Sequence, residues 1–339
     1  MNIHKLNPAK NELAYTFGGV GPLISIEPGD IVEVFSEDCF GGQITGEDQI
    51  PSQVVKAEEL DSVSGPIEVV GAEPGDLLAV HFVAITPARP HAISASFPGF
   101  GALGSTNETA MLHTPLEERV WFYDLDLDSW TATFRARNSD FTAVLPLDPM
   151  HGVIGVAPGG GEARLAVTPS YWGGNMDSPE LRAGTTVYLP VSVPGAMLSL
   201  GDGHARQGEG EIIGSGLESA MNTVIAVSVV KGRASAWPRY ENAEYLMSAG
   251  SVRPLDDALR IAEKDMVEWI AELTGMDLID SYQFVSQAVL TPVANMVDPN
   301  FTVVAKVPKA LLGGVGLPVY GGVHDQLVAL GAEYLRGAR

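Results

Sequence analysis

Asp202, His204, Gln207, Glu209, Glu211 and Glu218 fall within one 24-residue stretch, GAMLSLGDGHARQGEGEIIGSGLE (195–218), which also carries six glycines after Gly195. An imidazole two residues from a carboxylate, with more carboxylates nearby, is a nitrogen and oxygen donor set. It suits zinc, or calcium where the oxygens dominate. Read alone, the stretch is either such a site or an acidic glycine loop in solvent. Other chemistry-bearing residues stand in comparable settings. Asp38 follows an alternating apolar run and precedes Gly41, Gly42 and Gln43. His151 stands between Pro149 and Gly152, at the mouth of the apolar run 153–157, a place for a ligand or a proton carrier. Asn175 and Asp177 lie beside Gly173 and Gly174, where a side-chain amide can hold a carbonyl oxygen. Taken singly, each is equally an ordinary turn residue satisfying its own backbone.

The elements that must position these residues are mostly strands. Glycine at this density is costly in a helix, so 195–218 is predicted as a strand over 196–200, a tight loop, and a second strand from about Glu211. The phrase Glu-Pro-Gly-Asp at 27–30 separates two alternating runs and predicts a hairpin. It recurs at 73–76 between similar runs and predicts a second one. Further strands are expected over 120–124, 131–137, 153–157, 185–193, 223–230 and 301–307. The irregular stretch 87–114, with His91 and His113, reads as a binding loop or lid. One long helix is predicted over 251–275, with Leu255, Leu259, Ala262, Met266, Trp269, Ile270 and Leu273 on one face. Pro254 starts it, Asp256 and Asp257 suit its positive end, and Gly275 ends it. A shorter helix follows over 278–290, and a glycine-rich tail from 313 is expected at the periphery.

Composition narrows the function. With 339 residues, one large or two ordinary domains are expected, and 45% hydrophobic residues suffice for a sizeable core. The 42 acidic against 20 basic residues, net charge −22, exclude a nucleic-acid partner, which needs clustered Lys and Arg. No phosphate-binding G-x-x-x-x-G-K-[ST] loop or G-x-S-x-G elbow is present. Cys39 is the single cysteine, so no intrachain disulfide forms and a reducing cytoplasm fits. It also lies beside Asp38, which raises rather than lowers a thiol pKa and argues against a nucleophile. The N-terminus has no apolar signal region, and no run approaches a membrane span, so neither is expected.

The phrases SGPIEVVGAEPGD (64–76), LPLDPMHGVIGVAPGGG (145–161) and GGNMDSPELRAGTTVYLPVSVPGAMLSLGDGHARQGEGEIIGSGLE (173–218), with the D-x-x-x-G-Q element at 38–43, resemble the acetamidase/formamidase family in order over about 22–230. The resemblance implies hydrolysis of a small amide to a carboxylate and ammonia, a divalent-metal site and a homodimer. It implies a mainly β fold with sandwich-like domains and a smaller α+β C-terminal portion. The expected division is 1–230, mainly β and carrying the site, and 231–339, packed on it. The family's polar positions fall on Asp38, His151, Asn175, Asp177, Asp202, His204, Gln207, Glu211 and Glu218. One departure is that Tyr15 to Gly19 stands where many members carry an early His or Trp phrase.

Amide hydrolysis needs an activated water, a stabilised oxyanion and a protonated leaving nitrogen. Within the resemblance, Asp38, Asp202 and His204, with Glu218, are expected to hold zinc or calcium. Glu211 is expected as general base and His151 as an acid or supporting residue. Asn175, Asp177 and Gln207 are expected to orient the substrate. Two alternatives stand beside this reading. One is a larger amide or carbamate, suggested by the apolar loop 87–112. The other is a β scaffold that binds a metal or small ligand without turnover.

Overall fold

The computed structural model describes residues 1–104 and 116–337; His113 and the rest of the 87–114 stretch beyond 104 lie outside them. A nine-stranded sheet forms the middle layer. Its order is Ile3–Leu6, Ile31–Ser36, Met221–Val230, Leu77–Pro87, Thr186–Pro190, Arg239–Glu241, Tyr245–Val252, Phe301–Pro308 and Val293–Asn295. Both faces are covered, so its strands read as near-continuous apolar runs. In Leu77–Pro87, Leu78, Val80 and Phe82 join the main core while Leu77 and Ala79 face a C-terminal helix. Phe301–Pro308 alternates likewise, with Val304 inward and Val303, Ala305 and Val307 under the long helix.

A five-stranded sheet packs on the inner face, in the order Gly173–Asn175, Met150–Gly155, Leu198–His204, Val63–Val69, Ile24–Ile26. The two sheets make the sandwich. A four-stranded antiparallel sheet, Thr142–Pro146, Thr131–Arg135, Arg119–Asp126 and His91–Ser96, meets it through Glu218. The backbone of that residue exchanges hydrogen bonds of 2.8 and 2.9 Å with Ile93. The fold is therefore mainly β, with sandwich-like sheets and a helical C-terminal portion.

The long helix is Leu255–Thr274, closed by Gly275 in the left-handed region (φ 76°). Ala258, Ala262, Met266, Trp269 and Ile270 are buried, whereas Leu259, expected on the same face, is exposed. The second helix, Leu278–Ala288, is capped by Asp277, whose side chain accepts from the backbone of Ile279 and Asp280. The tail forms a third helix, Val323–Gly337, which lies on the outer face of the large sheet and buries Val323, His324 and Leu327. Pairing of Thr186–Pro190 with Arg239–Glu241 carries the large sheet across residue 230.

Two expectations change. Neither Glu-Pro-Gly-Asp turn closes a hairpin. Ile24–Ile26 and Ile31–Ser36 lie in different sheets, and so do Val63–Val69 and Leu77–Pro87. Gly29 (φ 93°) and Gly75 (φ 94°) take the left-handed position of type II turns, whose twist splays strands apart rather than pairing them. Each turn is thus a corner from one layer of the sandwich to the other. The second strand expected from Glu211 is also absent. The strand Leu198–His204 runs on through Asp202 and His204, the chain turns at 211–213, and Glu218 pairs with Ile93 and His204 only as an isolated bridge.

Candidate active site

The site gathers around His204, the last residue of its strand and fully buried. Its Nε2 lies 3.1 Å from Asp202 Oδ1, 3.1 Å from Glu218 Oε2, and 4.0 Å from both Asp177 Oδ1 and Glu211 Oε1. On the other side of the ring, Nδ1 meets Gln207 Oε1 at 2.9 Å. An amide oxygen can only accept, so Nδ1 carries the proton and Nε2 is turned towards the carboxylates. Gln207 Nε2 donates to the carbonyls of Asp177 (2.6 Å) and Ala294 (3.1 Å). Gln207 therefore orients the imidazole and has no atom left for a substrate, in contrast to its expected role.

Four of the acids hold backbone conformations that side chains rarely adopt: Asp61 (φ 53°), Asp177 (φ 44°), Asp202 (φ 48°) and Glu211 (φ 48°). Such positions cost about 1–3 kcal/mol each and persist where surrounding structure imposes them. Here the strain aims four carboxyls at one place. The neighbouring strand makes room. A Cβ on Gly152 would stand 2.1 Å from Asp202 Oδ2 and 2.3 Å from Asp177 Oδ1, so only glycine fits there.

Side-chain parity explains where other expected residues went. His151 precedes Gly152 on the strand and so points to the opposite face. It is fully buried, with Nδ1 donating to Gly201 O (2.7 Å), Nε2 accepting from Thr223 Oγ1 (2.7 Å), and its ring stacked on Phe82. Burial lowers its pKa to about 4, so it is a neutral packing residue with no free nitrogen for acid catalysis. Asp38 is likewise committed elsewhere. Its Oδ1 accepts from Gly42 N (3.0 Å), and its Oδ2 lies 3.1 Å from Arg89, which also grips Glu37 through two hydrogen bonds of 2.5 and 2.8 Å. Its neighbour Cys39 is the one that faces the carboxylates. Glu209 is exposed.

A cavity of about 250 Å³ opens beside His204. Its lining combines Asp61, Asp202, Glu211, Glu218 and Asp298, with Cys39 and Asn175, and the apolar Phe40, Leu60, Phe97, Pro98, Phe100 and Val167. No lysine or arginine is among these residues. Sequence reasoning missed Cys39, Asp61, Asn295 and Asp298. Asn295 Nδ2 donates to Asp298 Oδ2 (3.1 Å) and lies 3.4 Å from Asp177 Oδ2. The turn carrying both docks on the Glu211 loop through Gly210 N to Ala294 O (3.0 Å). The only sequence signal for that pair was their place in a proline-containing polar turn.

The crowding of like charges shows in the titrations. Burial, then repulsion from Asp202, lifts Asp177 to about 6; burial and the same neighbour lift Glu218 to about 8 despite His204. Asp61, Glu211 and Asp298 are pushed well above the carboxylate range by burial and by one another's neighbours. Burial alone would lower His204, but Asp202 and Glu218 carry it well above 6.5. Asp177 Oδ1, Glu218 Oε2 and Asn175 Oδ1 are buried without a hydrogen-bond partner. Unpartnered buried oxygens on this donor set fit a bound cation. Two groups bring their ligand atoms within 4.8 Å of one another: Asp177, His204 and Glu211, and Cys39, Asp202 and Glu218.

Known proteins share this arrangement of sequence and fold. The sequence profile of the acetamidase/formamidase family matches residues 17–160 and 156–313. A crystal structure of an acetamidase from Yersinia enterocolitica is 41% identical, covers 92% of this chain and 93% of that one, and superposes with a TM-score of 0.86. An acetamidase structure from Bacillus halodurans is 30% identical over 94% of this chain and all of that one, with a TM-score of 0.82. A formamidase of Methylophilus methylotrophus is 29% identical in an alignment that covers 62% of this chain and 62% of that one. The chain spans about three fifths of the length of the curated formamidases it matches.

Proposed function

The chain belongs to the acetamidase/formamidase family, and from that premise we propose that it hydrolyses a small linear amide to a carboxylate and ammonia. The observation that carries this reading is the buried imidazole and carboxylate cluster, whose acids share the lining of one cavity with aromatic and aliphatic side chains. His204, Asp177, Asp202 and Glu218 are the donors we assign to a divalent cation, zinc by the imidazole and carboxylate set and calcium by the surplus of oxygens. When bound, that cation would polarise the amide carbonyl and acidify water. Gln207 fixes the proton on His204 Nδ1, so that a cation at Nε2 would take the place of the proton that Asp202 and Glu218 otherwise favour there. Glu211 stands 4.0 Å from Nε2 at the cavity edge, and its raised proton affinity suits a group that takes a proton from water and returns it to the leaving nitrogen. The unpartnered Asn175 oxygen accepts an N–H of the substrate amide. The aromatic wall excludes water and receives the acyl side.

The size of that wall favours a second reading of the substrate. At about 250 Å³ the cavity holds roughly eight waters' worth of liquid volume, more than the four heavy atoms of acetamide occupy. A longer or aromatic acyl group therefore competes with the formyl and acetyl cases. The test is ammonia release from formamide, acetamide, butyramide and benzamide, with and without chelator. Glu211→Gln and His204→Ala should each cost at least about 10²-fold in kcat/KM. Turnover unchanged in both variants overturns the assignment. We further infer a homodimer in the reducing cytoplasm. The family resemblance and the exposed apolar residues Leu278, Ile279 and Tyr282 support the dimer, and the lone thiol Cys39 suits that compartment. Light scattering of Ile279→Glu against the unmodified protein checks the assembly.

A further inference from the structure

The two phenyl rings that the chain contributes to the cavity just after the strand His91–Ser96 are held in different ways. Phe97 is anchored in a core. Its ring meets Phe40 at 6.0 Å between centroids, and Phe40 packs there with Ile44, Ile93 and Val120. Phe100 is outside that core and rests on the loop that carries Glu211. A Cβ on Gly214 would stand 2.4 Å from Phe100 Cδ1, and Gly214 has φ 95°, so only glycine provides this seat. The two backbones lie just as close. A Cβ on Gly101 would stand 3.0 Å from Ile213 O, and Ala102 N donates to Ile212 O at 2.9 Å. Each loop is also tied within itself, by Phe100 N to Phe97 O (3.3 Å) and Gly214 N to Glu211 O (2.8 Å). Ser215 extends the contact. Its Oγ accepts from Ala95 N (3.0 Å) and donates to Ala95 O (3.1 Å), on the strand that leads into Phe97.

We propose that Phe100 sets the size of the acyl group the site accepts, and that the loop carrying Glu211 moves with it. The proposal rests on the amidase reading and names the residue that limits its substrate. Phe100, Gly214 and Glu211 line one cavity, and Glu211 begins the turn that Gly214 ends. An apolar acyl group that fits beside the ring leaves both loops in place. A longer one presses on a ring already seated on Gly214, and the push passes through Ala102 and Ile212 to the residue that handles the proton. Small displacements of such a group are costly in the transition state. Acyl length is therefore read in kcat as well as in KM. Phe97, backed by its own core, excludes by bulk and acts on KM.

The experiment measures kcat and KM separately for formamide, acetamide, propionamide, butyramide and benzamide. It compares the full-length protein with Phe100→Ala, Phe100→Leu and Phe97→Ala. In the unmodified protein, kcat should fall about tenfold or more from the best amide to the poorest. Phe100→Ala should raise the butyramide-to-acetamide ratio of kcat/KM by about tenfold or more and flatten kcat along the series. Phe100→Leu, which keeps an apolar side chain on the seat, should shift the ratio the same way by less. Phe97→Ala should not restore kcat for the longer amides. A ratio unchanged in both Phe100 variants overturns the size assignment. A constant kcat with KM alone rising in the unmodified protein overturns the coupling to Glu211, and needs no variant to fold. Absence of ammonia from every amide would sink the amidase reading separately. The size assignment is then read from binding of the same amides by saturation-transfer NMR. There Phe100→Ala should favour butyramide over acetamide relative to the unmodified protein, and an unchanged order overturns it.

Discussion

Gly152 shows how much of this site depends on what a residue lacks. Two carboxyl oxygens occupy the volume that its Cβ would fill, at 2.1 and 2.3 Å, and its backbone is not in the left-handed region. Gly152→Ala should therefore leave the strand intact but force Asp202 and Asp177 apart. We expect a loss of cation affinity and at least about 10²-fold in kcat/KM, with far-ultraviolet circular dichroism unchanged. Equal activity in the variant would show that those carboxyls do not need their present spacing. At this scale the sequence was readable where the residues are close together. Asp202, His204, Gln207, Glu211 and Glu218 are brought to one place by a single glycine-rich stretch. It was less readable where one step along the chain decides the direction of a side chain. His151 and Asp38 point away, while their neighbours Gly152 and Cys39 face the carboxylates.

Turns and clamps between elements set the rest. The two Glu-Pro-Gly-Asp phrases were legible as type II turns, but their partner strands were not, because the choice between hairpin and corner lies in the packing of the two sheets. The loop after Ile31–Ser36 depends on Arg89, whose bidentate grip on Glu37 and bond to Asp38 tie it to the end of Leu77–Pro87. Arg89→Met should let the loop shift Cys39 and Phe40 in the cavity wall and lower kcat/KM by up to about 10²-fold. Arg89→Lys should rescue only part, since an ammonium cannot make the planar paired contact. Full activity in Arg89→Met would remove the loop from the site's support. A second clamp ties the last helix to the sheet. Thr186 Oγ1 lies 3.0 Å from His81 Nδ1 and 2.8 Å from His324 Nδ1, and since a hydroxyl has a single proton to give, at least one of the two rings donates to it. Burial and the His324 ring lower His81 to about 4. The unfolded chain, with an ordinary value near 6.5, then binds this proton first as pH falls. The stabilisation is complete above about pH 6.5 and fades towards pH 4, by up to about 1.4 kcal/mol per pH unit. Denaturation midpoints across that window should fall more steeply for the unmodified protein than for His81→Gln, and equal slopes would refute the clamp.

Across the whole molecule, the cavity is a meeting point of distant chain segments, which is why it was only partly visible in the sequence. Asp61, Asp177, Asp202 and Glu218 come from the sandwich, while Asp298 and Asn295 arrive from a turn beyond the long helix. Nothing in their spacing foretells that residue 295 lies within 3.4 Å of residue 177. With a net charge of −22 and this many acids converging, the folded chain without cations works against its own repulsion. Cations that bind only the folded arrangement relieve it, by about 2.7 kcal/mol at a hundredfold excess over the dissociation constant. Chelation should therefore lower the melting temperature by several degrees, and readded zinc should restore it. The effect should also have a place. Hydrogen exchange should rise on chelation at 200–218 and 293–300, which share the cluster, and stay unchanged in the helix Leu255–Thr274, which packs on a separate core and contributes no residue to the cavity lining. A melting temperature indifferent to chelation would mean that the acids are held by the fold alone. A uniform rise in exchange would mean that the cation stabilises the chain without joining its two ends at the site.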